Sequence, residues 1–166
     1  MATKKVEGLE QLLMEELQDL LDAEKQLVRA LPKMAKAATD EELENALREH
    51  LEVTRGQIRR LDSIFERLGV KSSGESCKGM KGLIKEGDDM ATRDGSPAVI
   101  DAAIISAAQR VEHYEMAGYG TVRTYAGLLG EQEFANLLQQ TLDEEKEADK
   151  TLTDIAKTIN VQARAA

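Results

Sequence analysis

The chain has 166 residues, of which 42% are hydrophobic and 32% charged, and its formal net charge is -9. This length suits one domain with a sizeable core, and a composition rich in Ala, Leu, Glu, Lys and Gln predicts helices. The acidic balance disfavours phosphate backbones and anionic membranes, so neither nucleic acid nor a membrane is an expected partner. The single cysteine excludes an intrachain disulfide, and neither a secretory signal nor a membrane-spanning run is recognisable. We therefore expect a cytoplasmic protein.

The first half of the chain contains hydrophobic residues at helical spacing that predict two long helices. The first covers about 6–31, and Pro32 should kink or end it. The second covers about 40–68. It should begin at a capping box in which Thr39 is the N-cap and Glu42 is the third helical residue.

The second half of the chain repeats this arrangement after a loop. Glycines dilute a short helix predicted over about 77–91. Two further long helices are predicted over about 97–129, with Ser96 as N-cap, and about 131–159. The tail, 160–166, should fray.

The longest connection, about 69–96, joins the two helix pairs. It is long enough to run the length of a bundle, which favours a ferritin-like connection over a simple up-down series. No Gly/Ser/Pro-rich linker divides the chain. The sequence therefore predicts one all-α domain over 1–166, a ferritin-like four-helix bundle whose long crossover contains a short extra helix.

Acidic residues fall on the inward faces of three of these helices, since an α-helix turns about 100° per residue and each hydrophobic stripe marks the core. On the first helix the inward acid is Glu24. On the third, Glu115 lies at the centre of the stripe and Glu112 flanks it. On the fourth, Glu145 takes a core position and Asp149 lies one turn further on.

The second helix instead carries a histidine, His50, on its inward face, whereas His113 on the third helix should point away from the core. Side chains at mid-height on four facing helices converge, and ionised carboxylates there would repel one another. Bound cations would neutralise that charge, and oxygen ligands with one imidazole suit iron or manganese. The candidate ligands for one or two ions are Glu24, His50, Glu112, Glu115, Glu145 and Asp149.

A metal-free interior is the alternative. The inward acids would then be protonated, or bonded to Thr54, Gln57 and Tyr119 in the buried hydrogen-bond network of a structural or interaction protein. The residues alone do not decide between these hypotheses, nor do they show whether the protein is an enzyme.

Four stretches of the sequence resemble the YciF/YciE-type ferritin-like stress-response proteins of bacteria. In chain order they are DAEKQL, HLEVTRGQI, AAQRVEHYEMAGYGT and LDEEKEADKTL, and the likeness covers nearly the whole chain. The resemblance implies a ferritin-like bundle, often a homodimer, with a role in osmotic and other stress. Together with the inward acids, it makes a metal-binding protein of oxidative or osmotic stress protection the leading hypothesis.

A more distant resemblance to rubrerythrins and other di-iron carboxylate bundles implies roles for individual residues. Glu24 and Glu115 match the single glutamates of the first and third helices, and Glu145 matches the glutamate of the last Glu-x-x-His motif. The second helix lacks this motif at the corresponding position, and Ala148 replaces the last histidine. These departures favour a partial or single-metal site, or a metal-free polar core, over a full dinuclear site.

Overall fold

A computed structural model describes residues 6–166, so residues 1–5 of the predicted domain lie outside the described part of the chain. Within it, five helices follow one another: α1 (Leu9–Ala37), α2 (Glu41–Leu68), α3 (Lys78–Ala91), α4 (Pro97–Leu128) and α5 (Gln132–Ala165). The four long helices pack as a bundle, and α3, within the crossover, packs against α1 and α4. The predicted bundle with a short helix in its long crossover is confirmed. None of the described helices has the length and apolar character needed to cross a membrane.

Helix α1 does not end at Pro32 but continues to Ala37. Met34 and Ala35, two and three residues beyond the proline, are buried in the core. Their burial outweighs the backbone hydrogen bond that a proline cannot donate. Tertiary packing, rather than local propensity, therefore sets the end of this helix.

The sequence predicted Thr39 as the N-cap of α2, but Asp40 caps this helix in the structure. Asp40 Oδ1 accepts hydrogen bonds from the backbone N–H groups of Glu42 (3.0 Å) and Leu43 (3.1 Å). Thr39 instead donates from its backbone N–H (2.8 Å) and its hydroxyl (2.6 Å) to the buried carboxylate of Asp101 on α4. Because a partner distant in sequence occupies Thr39, the adjacent aspartate takes the capping role.

The C-terminal segment is helical where fraying was expected, since α5 extends to Ala165. Ile159 is its last buried hydrophobic residue. The last turns beyond it contain mostly residues of high helix propensity, including Gln, Arg and Ala, which suffice to continue the helix.

The bundle interior consists of two hydrophobic clusters separated along the helix axes. Leu21 on α1 and Leu142 on α5 belong to one cluster. Leu27 on α1 and Leu152 on α5 belong to the other. The stretch between these pairs carries polar side chains on every long helix. A polar layer therefore crosses the middle of an otherwise apolar core.

Candidate metal centre

The polar layer consists of charged and other polar side chains that are buried in the bundle interior. Its members on the four long helices are Glu24, His50, Thr54, Gln57, Glu112, Glu115, Thr141 and Glu145. The helical phase places them there, because each lies on the same face as hydrophobic residues one or two turns away. Three of the carboxylates, those of Glu24, Glu115 and Glu145, are fully inaccessible to solvent.

Four side chains of this layer converge on one point. His50, Glu112, Glu115 and Glu145 each offer one ligand atom, and these atoms all lie within 4.8 Å of one another. His50 Nε2 is 3.5 Å from Glu112 Oε1 and 3.7 Å from Glu145 Oε2. Metal–ligand bonds of about 2.0–2.2 Å place neighbouring ligand atoms about 2.8–3.6 Å apart, which is close to the two distances from His50 Nε2. We refer to these residues as the four-residue cluster.

Buried polar atoms of this cluster lack hydrogen-bond partners. They are His50 Nε2, Glu112 Oε2, both carboxylate oxygens of Glu115, and Glu145 Oε2. Leaving such an atom unsatisfied costs about 1–3 kcal/mol, so native proteins almost always supply a partner. Carboxylate oxygens and an imidazole nitrogen that face one another in this way fit a cation, which would serve as partner to all of them at once.

Burial also shifts the protonation of these groups. It raises the pKa of Glu112 and Glu115 well above the usual range, and repulsion from Glu145 and Glu24 raises them further. Burial lowers the pKa of His50, although the nearby glutamates oppose this effect. In the absence of a cation, the interior therefore favours neutral carboxyl groups at Glu112 and Glu115 and a neutral imidazole at His50, which is the form of histidine that binds metals.

Glu24 lies in the polar layer but outside the four-residue cluster. The hydroxyl of Tyr119 donates a short hydrogen bond to Glu24 Oε1, whereas Glu24 Oε2 has no partner. Burial and the charge of Glu145 raise the pKa of Glu24 well above its usual range. The hydrogen bond from Tyr119 lowers this pKa, but by less. Its predicted role as a ligand stays a prediction.

Asp149 is the one candidate ligand that the structure places away from the polar layer. Its carboxylate is 3.3 Å from Nε2 of the exposed His113 and accepts a hydrogen bond of 3.1 Å from Gln109. Asp149 follows Glu145 by four residues on α5, so its side chain is rotated by about 40° around the helix axis relative to that of Glu145. That rotation suffices to move Asp149 from the core to the surface edge between α4 and α5.

A second set of side chains holds Glu145 in place, and it includes Gln57, which the sequence predicted as a partner of the inward acids, together with Arg60 and Glu144, which it did not. Gln57 donates a short hydrogen bond to Glu145 and another of 3.2 Å to Glu144. Arg60 donates to both carboxylate oxygens of Glu144, at 3.0 and 2.9 Å, and to the hydroxyl of Thr141 at 2.5 Å. The signal in the sequence was the position of Arg60, a basic residue three positions after the inward Gln57 and therefore near the same face of α2.

The four-helix bundle, its long crossover and the carboxylate layer at mid-height define a ferritin-like helical protein. Residues 8–166 match the family described as "Domain of unknown function (DUF892)", and the chain belongs to this family. Protein YciF of Escherichia coli strain K12 is 48% identical over 141 residues, which span 84% of this chain and 85% of that protein. The family resemblance found in the sequence is therefore confirmed.

Solved structures show the same relationship. The crystal structure of the E. coli stress protein YciF matches with a TM-score of 0.90 and 44% identity over 93% of this chain and 98% of that chain. YcfI from Rhodopseudomonas palustris, whose description suggests a structural role, matches with a TM-score of 0.88 and 43% identity. That match covers 92% of this chain and 98% of the other.

Proposed function

We propose that this protein binds one iron or manganese ion at the four-residue cluster and acts in the bacterial stress response. The observation that carries the metal proposal is the convergence of buried ligand atoms that have no other partner. Similarity to the E. coli stress protein YciF over most of the chain supports the stress-response part.

The donor set decides the class of metal. Three carboxylates and one imidazole, with no thiolate, suit iron or manganese better than a structural zinc ion. Four protein ligands also leave positions open for a small molecule. One ion is favoured over two, because Tyr119 engages Glu24, the remaining carboxylate of the polar layer.

The surrounding residues have defined roles in this proposal. Gln57 orients Glu145, and Arg60 fixes Gln57's other partner, Glu144. The hydrophobic clusters on either side exclude water and strengthen electrostatic interactions within the layer. When bound, a redox-active metal would supply electron transfer to oxygen or peroxide.

A structural role without metal is the second candidate. The short hydrogen bonds from Tyr119 to Glu24 and from Gln57 to Glu145 favour it, because they give two of the buried acids partners from within the chain. The description of the related YcfI also supports it. The homodimer implied by the resemblance stays a prediction, which sedimentation of the purified protein would check.

Elemental analysis of protein purified without chelator distinguishes these functions. We expect about one iron or manganese ion per chain in the wild type and in Asp149→Ala, since Asp149 lies outside the cluster. Glu115→Ala should hold almost none, because it removes a fully buried ligand. Circular dichroism confirms that each variant is folded. Iron, manganese and zinc near zero in all three proteins would exclude the metal function and favour the structural one.

A further inference from the structure

A pocket of about 250 Å³ opens between α2 and α5 beside the four-residue cluster. Its rim is formed by the exposed residues Glu49, Val53 and Glu147, whereas His50 and Glu112 lie buried at its floor. Of the cluster, only these last two residues line the pocket. We call it the α2–α5 pocket.

The walls of the α2–α5 pocket are apolar. Ala46 and Leu47 on α2 face Ala148 and Leu152 on α5, and the small side chains of the two alanines leave the space between the helices. This volume is below the range of about 300–1,000 Å³ typical of pockets for drug-sized ligands. The pocket therefore suits a short molecule with a hydrocarbon portion.

The charged groups that face the α2–α5 pocket are all acidic. Glu49, Glu144 and Glu147 line it near the surface, and no lysine or arginine is among its lining residues. Arg60 pairs with Glu144, and Lys150 lies 3.3 Å from Glu147, so Glu49 is the exposed acid at the mouth that has no ion pair among the described residues. Negative charge at an entrance repels anions and concentrates cations.

The floor of the pocket carries atoms that need a donor. Glu112 Oε2 and His50 Nε2 are buried without hydrogen-bond partners, and their residues are only 3% and 8% exposed. The carbonyl oxygen of a neutral carboxyl group accepts hydrogen bonds, and so does the unprotonated nitrogen of a neutral imidazole. A ligand group that satisfies this floor must therefore donate hydrogen bonds, and a cationic donor does so most strongly.

We propose that the α2–α5 pocket binds a small organic cation, namely a primary alkylammonium ion. Its ammonium group donates to Glu112 at the floor, and its hydrocarbon chain packs on the walls formed by Leu47 and Leu152. The acidic rim excludes carboxylates and phosphates of the same size. The site is a property of the chain itself and does not require the proposed metal.

The test titrates n-butylammonium chloride into the purified full chain and follows backbone amides by NMR. We expect saturable shifts around Ala46 and Ala148, with weaker binding of n-butanol and none of butyrate. Ala148→Leu fills the pocket and should abolish binding, whereas Ala117→Leu, the same change on an exposed part of α4, should not. Glu49→Gln should weaken binding about two- to fivefold, and Glu66→Gln, far along the same helix, should leave it unchanged.

The proposal is overturned if n-butylammonium does not bind, if butyrate binds equally well, or if Ala148→Leu binds as the wild type does. Repeating the titration after chelator treatment separates this proposal from the metal proposal. Binding by a protein that elemental analysis shows to be metal-free supports the pocket alone. A chelator-treated, metal-free protein that does not bind n-butylammonium loses the amine site, whatever the metal content of the untreated protein.

Discussion

The metal-free protein is expected to lose stability as the pH rises above the ordinary pKa of glutamic acid and through the raised values of the buried carboxyl groups, and Glu115→Gln is expected to reduce that loss. The folded state holds protons on Glu24, Glu112 and Glu115, because burial and mutual repulsion raise their pKa values. The unfolded chain releases these protons. The amide of glutamine keeps the shape of the side chain but has no proton to lose in this range.

The direction of this change in stability follows from the linkage between proton binding and folding. A folded-state pKa above the unfolded value contributes stability that is complete below the unfolded pKa and is lost as pH rises through the folded pKa. Each such carboxyl accounts for at most about 1.4 kcal/mol per pH unit. His50 has a lowered pKa and acts in the opposite direction, but only below about pH 7. The raised pKa of the buried Cys77 thiol matters only at higher pH.

Urea unfolding in the presence of chelator measures this effect. The slope of the free energy of unfolding against pH should be shallower in Glu115→Gln than in the wild type, by up to about 1.4 kcal/mol per pH unit. The variant should also be the more stable protein at the upper end of the range. Glu147→Gln, an exposed change on α5, is the control and should follow the wild type. Parallel lines for wild type and Glu115→Gln would show that Glu115 is ionised in the folded state.

Manganese is expected to stabilise the chelator-treated wild type by about 2.7 kcal/mol when the free ion is at a hundred times its Kd. The ion replaces protons on the buried carboxyl groups and satisfies their unpartnered oxygens. The unfolded chain has no comparable arrangement of ligands, so the binding energy favours the folded state.

The matched variants His50→Ala and Asp149→Ala show whether the stabilising manganese ion binds at the four-residue cluster. His50 supplies the imidazole of the cluster, so its removal should abolish most of the effect of manganese. Asp149 contacts His113 and Gln109 instead, so its removal should leave the effect intact. Equal stabilisation of both variants, measured by urea unfolding, would mean that manganese binds elsewhere on the acidic surface.

Helical phase predicted much of the polar layer, because the direction of a side chain from a regular helix depends mainly on its position in the sequence. His50, Glu112, Glu115 and Glu145 meet for this reason, and His113 points outward as predicted. Phase becomes less reliable at the edge of a stripe, where a rotation of about 40° per four residues decides between core and surface. Asp149 lies at such an edge.

The sequence named Gln57 and Tyr119 as partners of the inward acids, but it did not predict the other pairings between helices. Periodicity gives the face on which Arg60 lies but not its partner, so its bonds to Glu144 required the packed structure. The bond from Thr39 to Asp101 depends in the same way on how α4 approaches the start of α2. The α2–α5 pocket likewise arises only when small residues of two helices come to lie opposite one another.

Anomalous diffraction from crystals grown with manganese tests the central claim most directly. Data collected on the two sides of the manganese absorption edge should show one strong peak between His50 Nε2 and the carboxylates of Glu112, Glu115 and Glu145. The peak should be absent from crystals of Glu115→Ala grown in the same way. A wild-type map with no peak among these four side chains would contradict the metal site, and the polar layer would then be a metal-free network.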